Sequence, residues 1–253
     1  MRIRNIFFIF MCFTLVFCAS RKDKVEEKSE KDPQYLYNLG LYHLNSGNLD
    51  EALKQLEKVL SLNPQHYLAL NALGLTNFMK GNFNGAAECF KKCLGINPKF
   101  TEAHNNLGTA YLEMGFIDKA IEEYQLVLQD KRYSSKELPY FNLAKLNFNL
   151  GKLNEAFEYV QKALSENNRF GAAYNLKGLI LESLGNMLEA IKSYEQAVKI
   201  VPKDINFSFN FAVALFKNGE HTRAKQIFEK LLSGVDDAEM MTKIKQYLKL
   251  IER

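Results

Sequence analysis

Tryptophan is missing from this 253-residue sequence, and cysteine (four), proline (five) and glycine (fourteen) are sparse. So few cysteines exclude a fold built on disulfides. So few turn-forming residues do not suggest a β-sandwich with its many short turns. A strong charge of either sign is missing too, with 33 Lys+Arg set against 29 Asp+Glu. Arg2 and Arg4 lie in a leader-like start segment, and without them 31 basic residues face 29 acidic ones, a balance of +2. That surplus is too small for the electrostatic footprint of nucleic-acid binding, so no nucleic-acid partner is expected. What is present suffices to fold: 47% hydrophobic, 25% charged and 12% aromatic residues place the chain among globular proteins, neither disordered nor membrane-integral as a whole.

The start of the chain is a class apart. Met1 to Asn5 carry Arg2 and Arg4 and no acid, Ile6 to Phe17 are apolar apart from Thr14, and Cys18-Ala19-Ser20 opens an abruptly charged stretch. This is the layout of a secretory signal over residues 1–17, with an apolar core too short to span a bilayer as a helix. Leu15-Val16-Phe17-Cys18 resembles the lipobox of bacterial lipoproteins, in which the Cys becomes the first mature residue and carries the lipid. Phe17 departs from that pattern, since the residue before the Cys is normally small. An ordinary export signal or an uncleaved anchor, with Cys18 as a small apolar residue, stays open beside it. The resemblance implies lipidation at Cys18, and Ala19 implies an outer-membrane address reached from the periplasmic side. Residues 18–32 offer only Val25 to a core and mix both signs of charge, so they are expected to be a solvated tether reaching roughly 20 Å.

From Pro33 the chain repeats. Gly47, Gly81, Gly115, Gly151, Gly185 and Gly219 form one column, with steps of 34 residues except for one of 36 between the third and fourth. Five residues after each stands an Ala: Ala52, Ala86, Ala120, Ala156, Ala190 and Ala224. Seven residues before each stands another small residue: Gly40, Gly74, Gly108, Ala144, Gly178 and Ala212. Two antiparallel helices joined by a tight turn account for all three columns, because close approach needs small side chains and the turn needs a glycine past the helix end. Asn63-Pro64, Asn97-Pro98 and Val201-Pro202 stop second helices. Apolar residues between the marks recur at helical spacing, as in Leu49, Leu53, Leu56, Val59 and Leu60.

At these residues the chain resembles the tetratricopeptide repeat (TPR) family, whose period is about 34 residues. The second unit carries Gly74, Ala86-x3-Phe90 and Pro98; the third carries His104-x2-Leu107-Gly108-x2-Tyr111 and Ala120-x3-Tyr124. No unit opens on Trp, three lack the Pro, and Lys177 replaces the apolar residue before Gly178. The resemblance implies an all-α, right-handed α-solenoid of six helix-turn-helix units at 33–66, 67–100, 101–134, 137–170, 171–204 and 205–238, closed by a capping helix at 239–253. Met240, Ile244, Leu248 and Ile251 are expected on the buried side of that last helix.

In this family the first helices line a concave wall, and the resemblance places Asn38, Asn71, Asn105, Asn106, Asn142, Asn175 and Asn210 there. A carboxamide both donates and accepts, so such a ladder suits the main chain of an extended peptide. It equally suits a role inside the repeat itself. Tyr37, Phe78, Phe141, Phe148, Phe209 and Phe216 interleave with it and favour a partly apolar polypeptide, with Phe141 as an anchor. Lys145 is the one positive charge near the centre of the wall, so the Lys-Asn-Arg clamp by which some relatives hold a C-terminal carboxylate is not matched.

The 36-residue step falls in Asp130–Pro139, an Arg132-Tyr133 loop followed by Asn142-Leu143. With six units and a lipoprotein-like start, this looks like the pilotin family that helps type IV pilus secretins reach and assemble in the outer membrane. Two functions from different classes follow: a scaffold binding a protein segment at the envelope, and an assembly factor carrying a secretin-like client. Neither is enzymatic. His43, His66, His104 and His221 are spread over four units without zinc-pair spacing, and each glycine of the columns is explained by a turn or a helix contact. Cys89 and Cys93 sit four apart on one helix, where buried packing outweighs half of a metal site, and a mutual disulfide is disfavoured by their parallel directions. No cofactor, metal or small-molecule substrate is expected. Labelling cells with a fatty-acid probe is expected to mark the wild-type chain and leave Cys18→Ala unmarked; equal labelling of both, or of neither, removes the lipoprotein reading.

Overall fold

In the computed structural model, the described residues are 31–252, and among them are thirteen α-helices and no strand. The leader at 1–17, Cys18 and most of the tether lie outside the described residues. The helices come in consecutive pairs: α1 (Pro33–Asn45) and α2 (Leu49–Leu62), α3 (Tyr67–Met79) and α4 (Phe83–Ile96), α5 (Thr101–Glu113) and α6 (Ile117–Gln129). Then follow α7 (Glu137–Asn149) and α8 (Leu153–Glu166), α9 (Gly171–Ser183) and α10 (Met187–Ile200), α11 (Ile205–Lys217) and α12 (His221–Leu232), and a last helix α13 (Ala238–Ile251). The chain divides into two compact units, one through Glu123 and one from Tyr124. In the first, α1 touches α3 and α3 touches α5; in the second, α7 touches α9 and α9 touches α11.

The turns explain the glycine column. All six column glycines have φ between 72° and 84°, and no other described residue is in this left-handed region. The residue after each then points its N–H back to a carbonyl five positions earlier, as in Asn48 to His43, Asn82 to Asn77 and Asn186 to Leu181. This bond satisfies a carbonyl that the helix end would otherwise orphan. The junctions between pairs use a second device. Asn63 and Asn97 accept the N–H two residues on with their side chains, at 3.1 and 3.3 Å. Where the Pro is missing, Asp130 does the same to Arg132 at 2.9 Å and Asn167 to Arg169 at 3.0 Å. The side-chain turn, rather than Pro, is therefore the shared feature of these four junctions. In the long junction, Pro139 falls in the first turn of α7, where its missing N–H costs nothing.

Within a pair, a small residue of the first helix meets a large residue of the second. A Cβ built on Gly74 would lie 2.5 Å from the Phe90 ring, and one on Gly178 would lie 2.5 Å from the Tyr194 ring. A Cβ on Gly40 would meet Leu56 at 2.9 Å. Where the first helix carries Ala144 instead, the second offers the smaller Val160 in the same cluster. Ala212 with Phe228 breaks this compensation, and the α11/α12 pair packs less closely than its neighbours. Phe90, Tyr194 and Phe228 are all fully buried, each worth about 2 kcal/mol of apolar transfer.

The last helix closes the second unit. Ile244 is fully buried, and Met240, Leu248 and Ile251 pack against the α10–α12 core. Tyr247 was not among the residues expected on this side. Its ring stacks on Phe228 with centroids 5.2 Å apart, and meets Phe209 and Phe216 edge-on at 5.9 and 5.3 Å.

Gly178→Ala is expected to overpack Tyr194 and lower unfolding stability by roughly 1–3 kcal/mol. Adding Tyr194→Val to it should then cost less than Tyr194→Val costs in the wild type. Denaturant melts of the four proteins check this, and strict additivity would show that the two residues do not press on each other.

Candidate functional site

The first helices carry every residue expected on the binding wall, and the two units hold them in similar ways. In the first unit, Asn71 on α3 and Asn106 on α5 are joined, the Asn106 Nδ2 donating to Asn71 Oδ1 at 3.0 Å. In the second, Asn210 Nδ2 on α11 donates to Asn175 Oδ1 on α9, also at 3.0 Å. These pairs occupy matching places in the repeat, and each crosses from one first helix to the next. Part of the ladder therefore serves the array itself, tying neighbouring repeats.

Carboxamide arithmetic leaves a remainder. An Asn can donate twice and accept twice, and a pair joined by one bond uses one donor and one acceptor. No bond among the described residues takes up the Asn71 amide nitrogen or the Asn106 carbonyl, nor their counterparts Asn175 and Asn210. Asn105 sits beside Asn106 and is only 8% exposed, yet its Oδ1 is buried with no partner. An orphaned buried acceptor costs about 1–3 kcal/mol unless something donates to it.

The remaining expected residues divide. Asn38 is exposed on α1 and accepts from Gln34 Nε2 at 3.1 Å. Asn142 and Phe141 are half-buried on α7, where the Phe141 ring lies 4.9 Å from that of Phe170, and Lys145 is exposed on the same helix. The six aromatics of the row are all half-buried and packed: Tyr37 against His66, Phe78 against Phe83, Phe148 in the α7–α9 core, Phe209 and Phe216 around Tyr247. They are walls of the core that show an edge outward, so their rings are held in place before any ligand arrives.

One polar link had no signature in the sequence. The His104 Nδ1 lies 2.6 Å from Glu123 Oε2 on α6, and its Nε2 lies 3.1 Å from the Pro98 carbonyl at the end of α4. Both neighbours are acceptors, so both bonds form only when the ring carries two protons. The hydrogen bond to Glu123 is the main cause holding the His104 pKa above its usual value; burial opposes it, and the Pro98 carbonyl and the Glu123 charge add to it. The clamp thus fixes α5, and with it Asn105 and Asn106, to two flanking elements. A separation of nineteen positions is no helical spacing, and the repeat marks between the partners do not report it.

Cys93 is fully buried, and burial pushes its thiol up to about 11; Cys89 is half-buried, with its thiol raised by the same cause. Both are unlinked. Among the described residues, no three His, Cys, Asp or Glu side chains converge as metal ligands, and no helix is long and apolar enough to cross a membrane.

Helix pairs in register, with paired small and large residues and glycine turns, define an all-α repeat protein of the class that serves as a scaffold for protein–protein interaction. A family model described as the tetratricopeptide repeat protein 21 C-terminal ARM domain matches residues 118–248, about half of the chain, and two tetratricopeptide repeat models match residues 37–99 and 77–135. The chain belongs to the tetratricopeptide repeat family.

A curated relative, a TPR repeat-containing protein of Methanocaldococcus jannaschii, is 28% identical over 134 residues, 53% of this chain; the chain spans about a quarter (24%) of that relative's length. Among solved structures, PilF of Pseudomonas aeruginosa matches with a TM-score of 0.72 and 18% identity, over 87% of this chain and 98% of that one. PilW, a widely conserved type IV pilus biogenesis factor, matches with a TM-score of 0.75 and 16% identity, over 84% and 97%. Cut9, from a hetero-tetramer with Hcn1, matches with a TM-score of 0.77 and 17% identity, but over 91% of this chain and only 45% of that one. Each of these likenesses is one of fold.

The His104 clamp predicts a pH dependence. Because the folded pKa is raised above the unfolded value, its contribution is fully present below pH ~6.5 and is lost as pH rises through the folded pKa. Thermal melting should accordingly fall between pH ~6 and pH ~8.5 in the wild type, and that fall should be absent in His104→Gln. An imidazole titration by NMR with its midpoint at or below the unperturbed value would contradict this.

Proposed function

We propose that the chain is a non-enzymatic scaffold of the cell envelope that grips an extended protein segment on its first helices. Asn38, Asn71, Asn105 and Asn106 in the first unit, and Asn142, Asn175 and Asn210 in the second, meet the main chain of the client. Lys145 and Phe141 add a charge and an apolar contact. The observation that carries the reading is the set of donors and acceptors left over on the half-buried Asn71–Asn106 and Asn175–Asn210 pairs, which a peptide backbone can take up. The protein is exported and held at the periplasmic side of the outer membrane by a lipid on Cys18.

A second reading is narrower: a pilotin-like assembly factor for a type IV pilus or secretion secretin. What supports it is coverage. This chain matches nearly the whole of PilF and PilW, whereas it matches less than half of Cut9.

Asn71→Ala should cost the melt its one bond to Asn106, about 1 kcal/mol, and also weaken a client crosslinked and purified from the envelope by about five-fold, one hydrogen bond's worth. Binding as tight as wild type would remove the peptide-grip reading. A secretin recovered as that client selects the pilotin role, and any other protein selects the general scaffold.

A further inference from the structure

The first helix departs from all the others at two positions. Twelve and five residues before the column glycine, the later first helices carry Ala69 and Thr76, Ala103 and Ala110, Pro139 and Leu146, Ala173 and Ile180, and Phe207 and Ala214, all buried except the half-buried Phe207. In α1 the same positions are Tyr35 and Tyr42, which are 46% and 64% exposed. They lie seven residues apart, hence on one face of the helix, with half-buried Leu39 between them and exposed Gln34 and Asn45 alongside. The sequence of α1, PQYLYNLGLYHLN, contains no Asp, Glu, Lys or Arg.

This face is unsuited to another helix of the array. Most of its equivalents are small enough to let a helix approach, and α11 accommodates one aromatic, Phe207, opposite Gly171 because Ala214 follows it; two tyrosines seven residues apart leave no small residue at which a neighbour, or a second copy stacking end to end, could come close. With no charged side chain on the helix, charge pairing with a client has nothing to work with here. A tyrosine-centred, uncharged face rimmed by carboxamides matches a bilayer interface, where the ring enters the acyl boundary while its hydroxyl and the neighbouring amides stay among head groups. The chain outside the described residues points to the same occupant. The tether joins directly to α1, so a lipid on Cys18 would hold α1 within roughly 20 Å of the bilayer.

We infer that the outer face of α1, centred on Tyr35 and Tyr42, is a membrane-contact surface that lays the first repeat against the lipid head groups. This inference rests on the lipid-anchor reading of Cys18. It orients the scaffold: the outer face of the first repeat is fixed at the bilayer, and Asn38 and the first helices of the later repeats are left to meet the client.

The absence of Trp from the chain allows a single-site test. The full-length lipidated protein carrying Tyr42→Trp, and a second carrying Tyr35→Trp, are reconstituted on vesicles of phosphatidylethanolamine and phosphatidylglycerol with brominated acyl chains. Leu188→Trp, at a position 61% exposed on α10, is the control. The two α1 reporters should shift to shorter wavelength and lose most of their emission to the bromines, while the control does neither. Protein that floats with the vesicles while its α1 reporters stay as unquenched as the control overturns the inference and leaves the anchor standing. Quenching that persists in Cys18→Ala supports the face while removing its dependence on the anchor, and failure of the wild type to float removes both. A blue shift that appears only when a purified client is added, without bromine quenching, overturns it in favour of a protein interface.

Discussion

Everything in this structure depends on how closely the two helices of a pair approach, and that distance is set by a small residue pressed against a large one. Gly74 against Phe90 and Gly178 against Tyr194 leave no room for a methyl group. The exchange works as volume compensation: Ala144 is matched by Val160, and where Ala212 meets a full Phe228 the pair opens. Helix packing distance follows from the contact residues, so this column sets the spacing of each repeat and therefore how adjacent first helices present their polar groups.

The polar groups follow from that spacing. Asn71 meets Asn106, and Asn175 meets Asn210, because successive first helices touch at the same height in each repeat. A carboxamide bonded on one side is held in a single orientation, which lowers the entropy lost when a ligand takes its other side. The same bonds that stabilise the array thus prearrange the groups a client would meet. His104 adds a titratable hold on α5, the helix that carries Asn105 and Asn106, through Glu123 and the Pro98 carbonyl.

The two ends of the described fold are treated differently. At the C-terminal side, α13 covers the core with Ile244 and a stacked Tyr247. On the outer face of α1, the places that are buried in nearly all other first helices hold exposed tyrosines. An array whose repeats are alike needs end residues unlike those of its interior, since each end exposes a face that the interior repeats bury against a neighbour.

The sequence by itself determined the all-α class, the repeat and the turns, because a column of glycines at a 34-residue step reports a backbone requirement that no other residue meets cheaply, and all six adopt positive φ. It also located most of the buried side of the last helix, since Met240, Ile244, Leu248 and Ile251 fall at helical spacing. Only the tertiary structure decided what the side chains do with one another. That the Asn residues bond in pairs, that Asn105 is left without a partner and that His104 reaches Glu123 depend on distances between helices, which one-dimensional periodicity does not encode. For the same reason Tyr35 and Tyr42 read in the sequence as ordinary helix residues. That they are exposed, where nearly all the matching positions of the other repeats are buried, shows only in the packed structure.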